Sequence, residues 1–157
     1  MSTEIERKFL VAERGVIAHA TEPPVAIRQA YLATGKTAVR LRIAGASAWL
    51  GVVGVRAGES TGYEYSVPVA DAREMIERLA VTPVVEKDRY RIDDEAAWTI
   101  DVFKGDNAPL MLAEITHRSR VEKLPRPEWL GDDVSHDLRY QNVYLALHPY
   151  SSWRHDG

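Results

Sequence analysis

Glu4, Glu6 and Lys8 stand two residues apart, with Ile5 and Phe9 in the alternate register. In an extended strand such residues share one face, spaced by ~6.6 Å along it. Two carboxylates so placed can share a hard cation such as Mg²⁺. The same period recurs further on. Arg40 and Arg42 alternate with Leu41 and Ile43, and Lys87, Arg89 and Arg91 alternate with Asp88, Tyr90 and Ile92. Asp101 lies between Ile100 and Val102, and Glu114 between Ala113 and Ile115. Arginines and lysines converging from several strands suit an extended polyanion, because guanidinium groups fork onto phosphate oxygens. Acids and bases gathered on one face therefore read as a site for a metal and a phosphate chain.

Strands must carry these residues. Alternation predicts strands over Glu4 to Val11, Val25 to Ala33, Thr37 to Ala44, Ala48 to Val55 and Gly62 to Val69. It predicts three more over Val84 to Ile92, Ala97 to Lys104 and Leu110 to His117. Gly35-Lys36 and Gly45-Ala46 read as hairpin turns, and Arg56 to Glu59 as a longer loop. A helix is expected over Asp71 to Leu79 with Asp71 as its N-cap, and a second over Leu138 to Leu147. The Pro- and Gly-punctuated stretch 125–133 reads as connector. The sum is an α+β fold, an eight-stranded antiparallel closed β-barrel decorated by a few helices.

A small barrel is ordinarily apolar inside. Here the opposite faces of the charged strands are the apolar ones, so a charged lumen with apolar outer walls, on which helices can pack, fits both faces. Burying so many charges is tolerable when acids and bases pair or a ligand and metal complete the set.

Bulk properties exclude other classes. A chain of 157 residues with 45% hydrophobic and 27% charged residues is one soluble globular domain in expectation, its core about 2–148 and residues 149–157 a frayed tail. A net charge of -3 gives no electrostatic footprint for nucleic acid, and no apolar run reaches the ~20 residues of a membrane span. No cysteine is present, which removes disulfides, thiolate metal sites and a Cys nucleophile. The first residues lack a basic and an apolar region, so a cytoplasmic protein without a secretory signal is expected. His19, His117, His136, His148 and His155 are scattered and give no zinc spacing, and neither G-x-S-x-G nor a P-loop occurs. Trp49, Trp98 and Trp129 read as packing residues, and Arg139, Tyr140 and Asn142 as ties between the last helix and the barrel wall.

The segments also resemble a known family in order. Glu4-Ile5-Glu6-Arg7-Lys8 is similar to the ExExK signature of the CYTH superfamily, the triphosphate tunnel metalloenzymes. Arg28-Gln29-Ala30-Tyr31-Leu32, Val39-Arg40-Leu41-Arg42-Ile43, Glu64-Tyr65-Ser66-Val67-Pro68 and Glu86-Lys87-Asp88-Arg89-Tyr90 resemble its successive strands. Asp101-Val102-Phe103-Lys104-Gly105 and Ala113-Glu114-Ile115 follow, and the likeness runs from about residue 2 to 148. It implies a tunnel that hydrolyses inorganic triphosphate or a related triphosphate with Mg²⁺ or Mn²⁺. It assigns metal binding to Glu4, Glu6 and Glu114, with Glu114 also helping to activate water. Lys8, Arg40, Arg42, Lys87 and Arg89 would grip the triphosphate, and Glu64 and Asp101 would orient those bases or complete the metal shell.

Four positions depart from the family pattern. Val53 stands where a lysine is usual, Ser60 and Gly62 where an arginine and a glutamate are, and Thr116 where a second late glutamate is. These replacements open a second expectation, a non-catalytic or altered-ligand tunnel that binds a phosphorylated metabolite or nucleotide. Class IV adenylyl cyclase and thiamine triphosphatase are the minor alternatives. A homodimer through an open barrel edge is compatible with the pattern.

Overall fold

The computed structural model describes residues 2–56, 59–92, 98–117 and 126–154. The strands are β1 (Ser2–Val11), β2 (Val25–Ala33), β3 (Thr37–Ala44), β4 (Ser47–Arg56), β5 (Glu59–Val67), β6 (Val85–Ile92), β7 (Trp98–Phe103), β8 (Met111–His117) and β9 (Leu130–Asp133). The helices are α1 (Val69–Leu79), α2 (Asn142–Leu147) and α3 (Tyr150–Trp153), with 3₁₀ turns at Arg14–His19, Gly105–Asn107 and Leu138–Tyr140. Among the described residues no helix is long and apolar enough to cross a membrane.

Pairing is antiparallel throughout, in the order β5-β4-β3-β2-β6-β7-β8-β1-β9. Hairpin turns produce most of it: Gly45 adopts φ 60° between β3 and β4, a conformation that glycine takes without strain. β1 also meets β5, over the three pairs Ser2–Gly62, Thr3–Thr61 and Glu4–Ser60. The expected closed eight-stranded barrel is thus seen as a nine-stranded antiparallel sheet whose first- and eighth-ordered strands touch over that short stretch.

The additional strand corrects the reading of 125–133 as connector. Leu130 pairs with Val11 and Asp133 with Phe9, around an irregularity in register. Gly131 permits the approach, since a Cβ there would lie 2.8 Å from the Leu10 carbonyl oxygen. Helix α1 begins at Val69 behind Pro68, so Asp71 lies in its first turn instead of capping it, where its charge still favours the helix N-terminus. The second predicted helix is broken at Gln141, which is extended (φ -75°, ψ 144°) between the 3₁₀ turn and α2. Residues 150–153 are not frayed: the Tyr150 N–H donates to Asn107 Oδ1 at 2.9 Å, and Trp153 meets Tyr140 edge-on at 5.4 Å.

Apolar packing lies outside the charged face or at one end of it. Leu41, Ile43 and Ala48 hold α1 through Ala72, Met75 and Ile76. Phe9, Trp98, Ile100, Ala113 and Ile115 form a second cluster with Val16 and Trp129, in which Trp98 meets Phe9 and Trp129 edge-on. A third, containing Tyr31, Val85, Phe103 and Leu112, is closed off by Tyr140, Leu145 and Ala146 of the C-terminal segment.

Candidate functional site

Register places the charged residues. Directly paired residues in a ladder point to the same side. Lys8 pairs with Glu114, Glu114 with Thr99, Asp101 with Arg89, Gln29 with Arg42, Arg40 with Gly51, and Gly51 with Glu64. With period 2 along each strand, Glu6, Lys8, Arg40, Arg42, Glu64, Lys87, Arg89, Asp101 and Glu114 all occupy one face. The side chains of Glu4, Ser60 and Thr116 lie outside the described residues.

That face is concave. β3 and β8 are four steps apart in the strand order, which would separate them by ~19 Å in a flat sheet. Yet Glu114 stabilises the Arg42 cation, and Arg40 and Arg42 favour the Glu6 carboxylate. The sheet curls enough to bring the two walls within electrostatic reach.

Asp101 is the hub of the base-rich side. Its Oδ2 receives the Lys87 ammonium at 2.9 Å, and the Arg89 guanidinium forks onto both oxygens at 2.8 and 3.0 Å. Burial opposes its ionisation, but Lys87 and Arg89 outweigh that and hold the carboxyl well below the usual range. Burial pushes the Lys87 ammonium down to about 7, with Asp101 opposing. Burial also disfavours the Arg89 cation, and its hydrogen bonds to Asp101 more than restore it. Lys87 is wholly covered, its other partner being Asn142 Oδ1 at 3.1 Å, whereas Arg89 keeps 26% of its side chain exposed. Arg89 therefore presents the charge that Lys87 and Asp101 stabilise from behind.

On the opposite wall Arg40 Nη2 meets Glu64 Oε2 at 3.1 Å, and Arg42 donates from Nε to Gln29 Oε1 at 3.1 Å. Burial, then the neighbouring Arg40 and Arg89, lower Arg42 to about 10, which leaves it cationic at neutral pH in a setting that an anion would relieve. Glu6 feels the reverse pressure. Glu114, diagonal to it across the β1–β8 ladder, raises its carboxyl above the usual value, and burial adds to the effect. A cation between two such acids would remove the repulsion. Among the described residues no three His, Asp or Glu side chains gather at one point, so Glu6 and Glu114 form a pair.

Lys8 stands deeper, 3% exposed, and reaches the C-terminal segment through long contacts to the Tyr140 carbonyl (3.5 Å) and Gln141 Oε1 (3.4 Å). Gln29, Tyr31, Gln141 and Asn142 belong to this constellation, although sequence reasoning did not single them out for it. For Gln29 and Tyr31 the signal was present, since they alternate on β2 in the register of the bases. For Asn142 it was partial: the expected tie to the wall exists, but its anchor is Lys87, and Arg139 instead pairs with Asp137 at the surface.

Val53 and Gly62 are paired on the same face, Val53 also opposing Ala38. Two of the four positions that depart from the expected family pattern thus stand side by side on the charged face, and neither carries a charge.

No protein-family model matches the chain. An inorganic triphosphatase of Acetivibrio thermocellus is 36% identical over 157 residues, covering 98% of this chain and 99% of that protein. An inorganic triphosphatase of Nitrosomonas europaea is 33% identical over 150 residues, covering 92% and 97%. Among solved structures, the crystal structure of the inorganic triphosphatase NE1496 superposes with a TM-score of 0.66 at 35% identity, covering 94% of this chain and 96% of that one.

Proposed function

Because the chain belongs to the CYTH superfamily of triphosphate tunnel enzymes, we propose that it hydrolyses inorganic triphosphate held in the hollow of a sheet that wraps into a tunnel. One observation carries the reading: two mutually repelling acids, Glu6 and Glu114, share a concave face with Arg40, Arg42 and Arg89. Such a face has room in its charge balance for both a cation and a polyanion.

Triphosphatase tunnel enzymes are generally dependent on a divalent metal, and the residues here fit one. Glu6 and Glu114 offer the oxygen donors that Mg²⁺ or Mn²⁺ prefers, and a cation between them would relieve their repulsion. When bound, the ion would neutralise phosphate oxygens and favour deprotonation of a water. The chain's own residues do the rest. Arg40, Arg42 and Arg89 fork onto the phosphate oxygens, with Glu64 and Asp101 fixing the guanidinium planes of Arg40 and Arg89. Lys8 and Lys87 add charge from the floor. Glu4, by the family pattern, joins the metal donors.

Phosphate release from tripolyphosphate, with Mg²⁺ or Mn²⁺ titrated from zero, tests the reading. Metal-dependent release is expected, and binding without release would leave a phosphate-binding tunnel in place of an enzyme. A second outcome concerns stability without turnover. A polyanion that reaches several bases stabilises the folded state by mass action, so tripolyphosphate should raise the melting temperature more than monophosphate at equal saturation. Equal shifts would argue against an extended site.

A further inference from the structure

The two lysines on the charged face take their neutral acceptors from one short piece of chain. The Lys8 ammonium, from β1, meets the Tyr140 carbonyl and Gln141 Oε1, while the Lys87 ammonium, from β6, meets Asn142 Oδ1. The Lys87 contact is the better defined. Its ammonium is fully covered and has two acceptors, Asp101 at 2.9 Å and Asn142 at 3.1 Å. Asp101 Oδ2, which accepts from the Lys87 ammonium, also accepts from Arg89 Nη2 at 3.0 Å. A continuous line therefore runs from Asn142 through Lys87 and Asp101 to Arg89, the only one of the four that is both cationic and partly exposed to the hollow.

We propose that Asn142 is a positioning residue for triphosphate binding: by holding the Lys87 ammonium it fixes Asp101, and through Asp101 the guanidinium fork of Arg89. The geometry gives the reason. A buried ammonium that loses one acceptor turns toward the acceptor that remains. Lys87 would then draw Asp101 toward itself and away from the two-oxygen fork with Arg89. Misplacement of a binding group by about 1 Å is enough to weaken recognition substantially. Asn142 is itself held by the extended Gln141 and the start of α2, whose Leu145 and Ala146 are buried in the apolar end cluster. The C-terminal segment thus sets the position of a residue on a strand far away in sequence.

This inference rests on the triphosphatase reading, and the experiment separates the two. Asn142→Ala and Asn142→Asp are compared with wild type for kcat and KM on tripolyphosphate, for Kd by calorimetry, and for melting temperature. The Asp variant keeps an oxygen acceptor of the same reach. Asn142→Ala should raise KM and Kd about tenfold with kcat within threefold. Asn142→Asp should recover most of the affinity, although it adds a negative charge near an anion site. The ¹⁵N signal of the Lys87 ammonium, protected in wild type and in Asn142→Asp, should be lost to exchange in Asn142→Ala. KM and Kd within twofold of wild type in Asn142→Ala would overturn the proposal, and a lowered melting temperature alongside would assign Asn142 to packing alone. A wild type that binds but does not turn over tripolyphosphate removes the hydrolase reading, and the comparison is then decided on Kd. A wild type that does not bind it overturns both.

Discussion

Glu114→Gln is expected to lower tripolyphosphate turnover by about a hundredfold or more while leaving the melting temperature of the ligand-free protein nearly unchanged. The fold feels little because two contributions of Glu114 oppose each other. Its charge disfavours the Glu6 carboxylate but favours the Arg42, Lys87 and Arg89 cations, and a neutral amide of the same shape removes both. The same amide is a poorer donor to a hard cation. Glu6→Gln should behave alike, and the double variant should cost little more than either single one, since the two acids act as a unit. Initial rates and thermal melts on the same preparations decide the matter. Turnover within tenfold of wild type would remove Glu114 from the reaction, and a lowered melting temperature would show that the pair is structural.

The largest loss of stability is expected from Asp101→Asn. Removing one partner of a buried ion pair leaves the other uncompensated, at a cost of about 3–5 kcal/mol. Here the orphan is Lys87, which is fully buried, whereas Arg89 can turn toward solvent. The pH dependence follows from the two shifts. The Asp101 carboxyl is depressed in the folded state, so its contribution is complete above the ordinary value of 3.8 and is lost as pH falls through the folded one. Lys87 is lowered from 10.5 to about 7, so wild type regains its proton as pH falls below about 7 while the variant resists it. The deficit should therefore be greatest near about pH 5–6 and narrow as pH rises past about 8, where Lys87 is neutral in both proteins. Urea unfolding at several pH values measures this. A deficit that stays constant across that range would show that Lys87 is not the group left stranded.

Much of this site is legible in the sequence because strand geometry is simple. A period of two fixes which side chains share a face, so Lys8, Arg40, Arg42, Lys87, Arg89, Asp101 and Glu114 could be grouped before their positions were known. The boundaries of β2 and β3 come out as the alternation predicts. Other features depend on contacts that no local pattern encodes. β9 holds a glycine and two aspartates in four residues, with no alternation to betray it, and exists because β1 offers an edge that Gly131 can approach. The covering of Lys87 depends on Asn142, 55 residues away, so sequence placed this lysine on the right face and could not show that it is withdrawn behind Asp101. The break at Gln141 is of the same kind: this residue is extended where the Lys8 ammonium approaches its side chain and where α2 begins, neighbours that no local pattern names. Val53 and Gly62 are instructive in the other direction. Their direct pairing sets two uncharged residues side by side, and a base and an acid that are absent together cost far less than either one absent alone.

The outward placement of most apolar packing has a consequence for how this molecule can change over generations. Leu41, Ile43 and Ala48 under α1, and Phe9, Trp98 and Ile100 on their own wall, anchor the sheet without using the face that carries the charges. Mutations in the hollow therefore cost little cohesion so long as acids and bases are exchanged in matched sets. Selection can retune the ligand there while the scaffold stays above its folding threshold. The exception is the floor, where Lys8 and Lys87 are tied to the C-terminal segment and to the packing beneath it. Heritable variation should be freest toward β4 and β5, where Val53 and Gly62 already stand, and most constrained where the chain's last helices meet the lysines.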